Sequence, residues 1–293
     1  MNMPGTVRVP ASSANLGPGF DTLGLALDLY LECTFAPSEA LRIEVTGRDS
    51  ALIATDESNL IWRTIAAYGS PPIALHIHNG IPLGKGLGSS AAAITAAVVI
   101  ANELLGWGWT RASVLDETAR LEGHPDNVAA CTLGGVTASA VGNDGKAHAL
   151  RLDLPPGIEL AVVTPDFVLP TQTARAALPD CYPRADTIFN LQRVALMVAA
   201  LAKGSLPDFA ASLGDRLHQP YRASLVPGLE DILALKVPGL IGCVLSGAGP
   251  SVLVFFEHGA DPCCAVVAET FARHGQKTEI FHVRCAADGY RLL

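Results

Sequence analysis

The chain has 293 residues, 49% of them apolar and 16% charged, so it can bury a sizeable core and is not a disordered polymer. Its 20 Lys+Arg against 28 Asp+Glu leave a net charge of −8, which removes any overall electrostatic footprint for nucleic acid. At roughly 150 residues per domain, the length sets an expectation of two domains.

The 7 cysteines show no CxxC or Cys/His ligand spacing, which argues against zinc and against a disulfide framework. They read as buried free thiols of a reducing cytoplasm. Met1–Pro10 contains no apolar core of a secretory signal, and the longest apolar run, Ala91–Ala101, is too short to span a bilayer. The expectation is a cytoplasmic protein with neither a membrane nor a nucleic-acid partner.

In chain order, Leu23, Leu25, Leu27, Leu29, Leu31, Cys33 and Phe35 alternate with smaller or polar residues, which predicts a long strand with one buried face. The same period recurs over Leu41–Val45 and Ile73–Ile77. Between them, Asp56 or Ser58 can cap a helix that runs through Tyr68 to Gly69. Ser89–Leu105 is Ala-rich and apolar nearly all round, as a helix buried on most sides would be. Thr110 caps a further helix through Leu121, and strands follow at Val136–Val141, Ala147–Leu152 and Ile158–Thr164.

Pro155-Pro156 divides this half from the next, giving expected domains 1–155 and 156–293. The second half opens on helices at Thr171–Leu178, Asp186–Lys203 and Leu206–Leu217, closed off by Pro207, Pro220 and Pro227. Strands at Gly242–Ser246 and Ser251–Phe256, a helix over Pro262–His274 and a strand over Thr278–Arg284 complete it. Strands and helices mix without regular βαβ alternation, so the class is α+β rather than a doubly wound sheet.

The most informative stretch is Pro82-Leu83-Gly84-Lys85-Gly86-Leu87-Gly88-Ser89-Ser90-Ala91-Ala92. Alternate glycines let the backbone approach a ligand closely, and the following helix presents free N–H groups and the positive end of its dipole to an anion. Either serine hydroxyl can ligate a phosphate-bound Mg²⁺. Walker A and dinucleotide-binding motifs fail on spacing, because Gly84, Gly86 and Gly88 give GxGxG and no lysine stands directly before the serines.

Four further constellations stand out. Val9–Gly24 reads as a polar loop between strands, where Asn15 and Asp21 can offer an amide and a carboxylate to an amino acid's ammonium or hydroxyl. Glu122–Ala129 packs two carboxylates, His124 and Asn127 into a helix-to-helix turn, in which Asp126 or Asn127 equally serves as a cap. Thr171 and Arg175 share a helical face, and Arg222 follows in a proline-punctuated turn. Arginine's planar fork suits a carboxylate, although most surface arginines are simply solvated. Leu245–Ser251, with Gly247 at its centre, is a tight turn of small residues between strands.

The Pro82–Ala92 string resembles the phosphate-binding motif of the GHMP kinases, and the Val9–Gly24 string resembles the opening motif of their homoserine kinase branch. With the Glu122–Ala129, TxxxR, PYR and Leu245–Ser251 stretches, the resemblance runs in order from Val9 to Ser251. It implies a two-domain GHMP kinase fold, with an N-terminal ribosomal-protein-S5-like domain and a C-terminal ferredoxin-like domain. It also implies that ATP and Mg²⁺ are used to phosphorylate the hydroxyl of L-homoserine for threonine biosynthesis.

By that resemblance Ser90 is a magnesium ligand, while Ser89 and the amides of Pro82–Ala92 wrap the nucleotide. Glu122 is the second magnesium candidate, with Asp116 and Glu117 as rivals. Asn15, Asp21, His124 and Asn127 line the amino-acid site, Thr171, Arg175 and Arg222 take its carboxylate, and Gly247 closes the loop over it. His124 is a candidate general base, ranked below direct transfer without one. The family usually has Pro where Ala130 stands, a departure expected to touch the helix start more than the chemistry.

The Asn59–Trp62 region is a candidate adenine pocket, without a readable motif. A homodimer is a possible assembly. A mevalonate-type GHMP kinase, whose substrate lacks an ammonium, and a non-catalytic GHMP-fold metabolite sensor are the alternatives.

Overall fold

The computed structural model describes residues 4–293, so the reading of Met1–Pro10 lies in part outside the described residues. Its first half is built on a seven-stranded sheet. Strand β2, Leu23–Pro37, is the spine: its first residues pair with β5 (Val136–Val141) and its last with β4 (Ile73–Asn79). Along its other edge lies β1, Gly5–Ala14. The period of two is realised from Leu31 onward, with Leu31, Cys33 and Phe35 buried between more exposed neighbours; Leu23–Leu27 is buried on both faces and Leu29 only half-buried.

Strand β3 (Arg42–Gly47) pairs in parallel with β4, and β6 (Ala147–Leu152) extends the sheet beyond β5. Val9–Ala14, expected to be loop, is strand instead. Its small side chains are buried against β2, and Pro10, which lacks an N–H, sits at a register shift where no ladder bond is needed.

Helices cover one face of this sheet. The Ala-rich α2 (Ser89–Leu105) and α4 (Asp126–Leu133) both pack on β1, with α1 (Leu60–Ala66) and α3 (Arg111–Glu122) against α2. Thr110 caps α3 as predicted, and Gly123, in the left-handed region, closes it one residue beyond Glu122. The cap of α1 is Asn59, not Asp56 or Ser58: its Oδ1 accepts the N–H groups of Ile61 and Trp62, while Asp56 closes a local turn on Ser58. Asp126 is the first residue of α4 rather than its cap.

The second half carries a four-stranded antiparallel sheet, ordered β10-β7-β9-β8. Here β7 is Ile158–Pro165, β8 Leu240–Leu245, β9 Val252–Glu257 and β10 Thr278–Val283. Pro155-Pro156 falls in the connection between β6 and β7. Helix α10 (Pro262–Arg273) packs on β7 and β10.

Between β7 and β8 run α5 (Thr171–Ala176), α6 (Arg184–Lys203), α7 (Leu206–Ser212), α8 (Gln219–Arg222) and α9 (Leu229–Leu233). Pro207 lies in the first turn of α7 and starts it, whereas the expected helix to Leu217 ends at Ser212. Beyond it, Asp215 draws the backbone N–H groups of residues 217–219 onto its own carboxylate, which replaces the helical ladder. Helix α6 has the length and apolarity to cross a membrane; its Met197, Ala200 and Leu201 are buried, it packs on α7, and its Ile188, Leu191 and Leu196 are exposed.

Short β11, Arg291–Leu292, returns to pair with β1, so the chain ends in the first sheet. All seven cysteines are free; five are buried, Cys285 is half-buried and Cys181 is exposed.

Candidate active site

An open cleft of about 640 Å³ forms where the loops of both sheets meet. Into it converge the β1–β2 loop, the glycine loop before α2, the α3–α4 turn, α5, the end of α8 and the β8–β9 turn. Of the expected residues, Asn15, Asp21, Ser89, Ser90, Glu122, His124, Asn127, Thr171, Arg175, Arg222 and Gly247 all line this one cleft. So do Gly84, Gly86, Leu87 and Gly88.

Gly88 has φ 67° and caps α2 in the left-handed region, where a Cβ would overlap the Ser12 hydroxyl. Gly86 has φ 74°, and a Cβ there would meet the Ser246 carbonyl. Ser246 Oγ donates to the Gly86 carbonyl at 2.7 Å, and Ser12 N donates to Leu87 O at 3.1 Å, so the loop is held from both halves of the chain. The first ladder bond of α2 runs from Ala92 N to Gly88 O at 2.9 Å. The amides of Ser89, Ser90 and Ala91 therefore precede the helical ladder and are free for an anion.

Part of the Pro82–Ala92 stretch faces elsewhere. The side chains of Ala91 and Ala92 are buried in the core, so only the Ala91 amide is offered. Lys85 Nζ donates to the carbonyls of Pro165 (2.8 Å) and Phe167 (2.9 Å), tying the loop to the end of β7 rather than entering the cleft. Pro82 lies with it, and Leu83 lines a second, apolar cleft of about 850 Å³ together with Leu52, Ile53, Asn59, Leu60 and Ala93. The two clefts share Ser89 and Ser90.

Ser90 Oγ donates to Glu122 Oε2 at 3.1 Å, so these two oxygens, 32 residues apart, stand side by side at the mouth of α2. Burial raises the Glu122 carboxyl above its ordinary value, against the opposing pull of His124 and the Ser90 hydroxyl. The rivals are engaged elsewhere: Asp116 accepts the Ala147 N–H at 2.9 Å, and Glu117 is held by Arg120 and the Tyr68 hydroxyl. A serine hydroxyl beside a carboxylate is a hard oxygen set of the kind Mg²⁺ takes, next to free amides for phosphate.

His124 Nδ1 lies 2.7 Å from Asp126 Oδ1. Burial pulls the imidazole down, but the Asp126 hydrogen bond and charge, with that of Glu122, outweigh it, and the net shift is upward. The sequence offers Asp126 as a carboxylate of this turn or as a cap; its burial and its contact with His124 are tertiary facts.

Arg175 makes a two-pronged pair with Asp21, at 3.0 and 2.7 Å, which raises its pKa. Arg222 is 2% exposed; its Nη1 donates to Gly247 O at 3.0 Å and its Nε to Ala174 O at 3.2 Å. Among the described residues its Nη2 has no protein acceptor. Both guanidinium groups lie over the Phe20 ring, at 5.6 and 5.4 Å from its centre. Asn15 was expected to present its amide to a ligand. It lines the cleft, yet it is 3% exposed: its Nδ2 donates one N–H to Gly247 O at 2.9 Å and its Oδ1 accepts the Asp21 N–H at 3.0 Å. It positions Asp21 and the closing loop. Asn15, Leu16 and Asp21 all have positive φ, at 72°, 47° and 54°. Such non-glycine strain, of order 1–3 kcal/mol per residue, gathers at functional loops.

Models of the GHMP kinases N terminal domain and of the GHMP kinases C terminal match residues 59–135 and 197–272. A homoserine kinase of Solibacter usitatus is 56% identical over 292 residues, covering 98% of this chain and 96% of that one. The chain belongs to the homoserine kinase family of GHMP kinases. A homoserine kinase of Deinococcus radiodurans is 48% identical, covering 87% of this chain and 85% of its own. In fold, the crystal structure of homoserine kinase from Cytophaga hutchinsonii superposes with a TM-score of 0.83 at 26% identity, over 100% of this chain and 98% of that one. The mevalonate-type alternative is not favoured by these likenesses to homoserine kinases. Sequence reasoning missed Phe20, Leu169 and Ala248 in the lining, since apolar residues in loops carry no signal until the loops meet.

Proposed function

We propose that this protein transfers the γ-phosphoryl group of ATP to the hydroxyl of L-homoserine, giving O-phospho-L-homoserine. The observation that carries this reading is a single cleft holding a free helix N-terminus and glycine loop at one end and the Asp21, Arg175 and Arg222 charges at the other. An amino acid matches that second end: its carboxylate is complementary to the arginines and its ammonium to Asp21. The Asp21–Arg175 pair keeps both charges satisfied until a zwitterion takes its place between them.

In the reaction the substrate oxygen bonds to the γ-phosphorus, the bond to the β–γ bridging oxygen breaks and ADP leaves, while the hydroxyl proton passes by way of a phosphoryl oxygen to solvent. The amides of Ser89, Ser90 and Ala91 hold the phosphates at the positive end of α2. Ser90 and Glu122 hold Mg²⁺, which when bound neutralises phosphate charge. His124, held by Asp126 at 2.7 Å, stands on the cleft wall where its imidazole can orient the hydroxyl or a phosphate oxygen. Asn127, fixed by Ser12 Oγ at 2.8 Å, lines the same wall. The neighbouring apolar cleft takes the adenine base. A cytoplasmic location and a role in threonine biosynthesis fit this chemistry, and the proposed boundary at Pro155-Pro156 lies in the connection from β6 of the first sheet to β7 of the second.

A coupled assay of ADP release over homoserine, mevalonate, galactose and serine tests the reading. Homoserine is the expected substrate, and Arg175→Ala raises its KM at least about tenfold while leaving that of ATP nearly unchanged. No turnover on any of the four, or an equal effect of the substitution on both KM values, contradicts it.

A further inference from the structure

A buried polar cluster behind the site has no part in the steps above. The Asp215 carboxylate accepts the backbone N–H groups of Leu217 (2.8 Å), His218 (3.1 Å) and Gln219 (2.7 Å), and Asn190 Nδ2 at 2.8 Å. Asn190 Nδ2 also donates to Pro18 O at 3.1 Å, and Gln219 Oε1 accepts the Leu245 N–H at 2.8 Å. At its centre His218 is 0% exposed. Its Nε2 stands 2.7 Å from Gly17 O, its Nδ1 stands 3.2 Å from Arg222 Nη1, and its ring stacks on Phe20 at 5.5 Å.

Only one protonation state satisfies both neighbours. The Gly17 carbonyl can only accept and the guanidinium can only donate, so Nε2 carries the proton and the Nδ1 lone pair faces Arg222. Burial lowers the His218 pKa, Arg222 adds to this and Asp215 opposes it, which agrees with a neutral ring. Arg222 is thus seated from three sides, by Ala174 O, Gly247 O and His218 Nδ1. One of the three seats also holds the loop that carries Asp21.

We infer that His218 is a positioning residue that locks the Arg222 guanidinium to the Asn15–Asp21 loop and so sets the site's selectivity for an α-carboxylate. The inference rests on the amino-acid reading of the cleft. It differs from a merely structural role in which kinetic constant it moves.

His218→Gln keeps an N–H near the Nε2 position for Gly17 but removes the acceptor for Arg222. His218→Asn keeps an acceptor near the Nδ1 position. Steady-state kinetics of both variants should show the homoserine KM raised about tenfold or more in His218→Gln. In that variant kcat and the ATP KM stay within about twofold, and His218→Asn recovers most of the homoserine KM. An unchanged homoserine KM in His218→Gln, or a parallel rise in both KM values, overturns the inference.

Imidazole nitrogen NMR shifts of the wild-type protein, which need no variant to fold, should report the Nε2–H tautomer; a protonated Nδ1 overturns it as well. If the wild-type enzyme does not turn over homoserine, the reading of the site falls and this inference with it. If it does and His218→Gln keeps the wild-type KM, this inference alone falls.

Discussion

Glu122 is where opposing demands on one side chain are plainest. A cation needs the carboxylate ionised, yet burial raises its pKa above the ordinary 4.5. A raised pKa means that protonation, and loss of cation binding, begins at higher pH than for an exposed carboxylate. Lowering the pH should therefore raise the Mg²⁺ concentration needed for half-maximal rate, and the rise should begin at higher pH than an exposed glutamate would give. Glu122→Gln should abolish that dependence and lower kcat by about a hundredfold or more. Titrating Mg²⁺ at fixed ATP across a range of pH checks both, and a requirement that is flat with pH in the wild type would refute the assignment. The glutamate was legible in sequence only as one acid among three. What separates it from Asp116 and Glu117 is that their carboxylates are spent on Ala147 N and on Arg120 with Tyr68.

At the scale of elements, local signals were read well where they are local. The alternation in the second part of β2, the Ala-rich composition of α2 and the Thr110 cap of α3 depend on residues within a few positions of one another. The cap of α1 was misread because Asp56, Ser58 and Asn59 are all competent caps, and only the path of the chain chooses. Asn59 wins by also donating to Ala54 O at 2.7 Å. Asn59→Ala should lower stability by about 1–2 kcal/mol, seen as a lower urea midpoint. Because α1 lines the apolar cleft, the KM for ATP should rise by about two- to fivefold while that for homoserine stays put. The opposite pattern would remove the base from this cleft. The strand from Val9 to Ala14 escaped for a different reason: short polar residues look like loop until β2 buries them.

On the scale of the whole molecule, the chain's last residues belong to its first sheet. Tyr290 N donates to Cys131 O at 2.7 Å, Leu293 N to Thr6 O at 2.8 Å, and Arg111 lies 4.5 Å over the Tyr290 ring. Deleting residues 290–293 should cost about 2–4 kcal/mol from lost hydrogen bonds and aromatic burial. The homoserine KM should not change, since none of these residues lines the cleft. Thermal melts and steady-state kinetics of the truncated chain test this together, and an unaltered Tm would show the pairing to be idle.

The sequence by itself determined the class, the run of most elements and the phosphate loop, because periodicity and glycine geometry are written in neighbouring residues. Only the tertiary structure decided that Asp21 meets Arg175 across 154 positions and that Asn15 serves Gly247 across 232. It also decided that Lys85 turns away from the cleft while Glu122 turns into it. Partners that far apart carry no joint pattern along the chain. Which charge is spent on a neighbour and which is left for a ligand is settled when the loops of the two sheets close on one another.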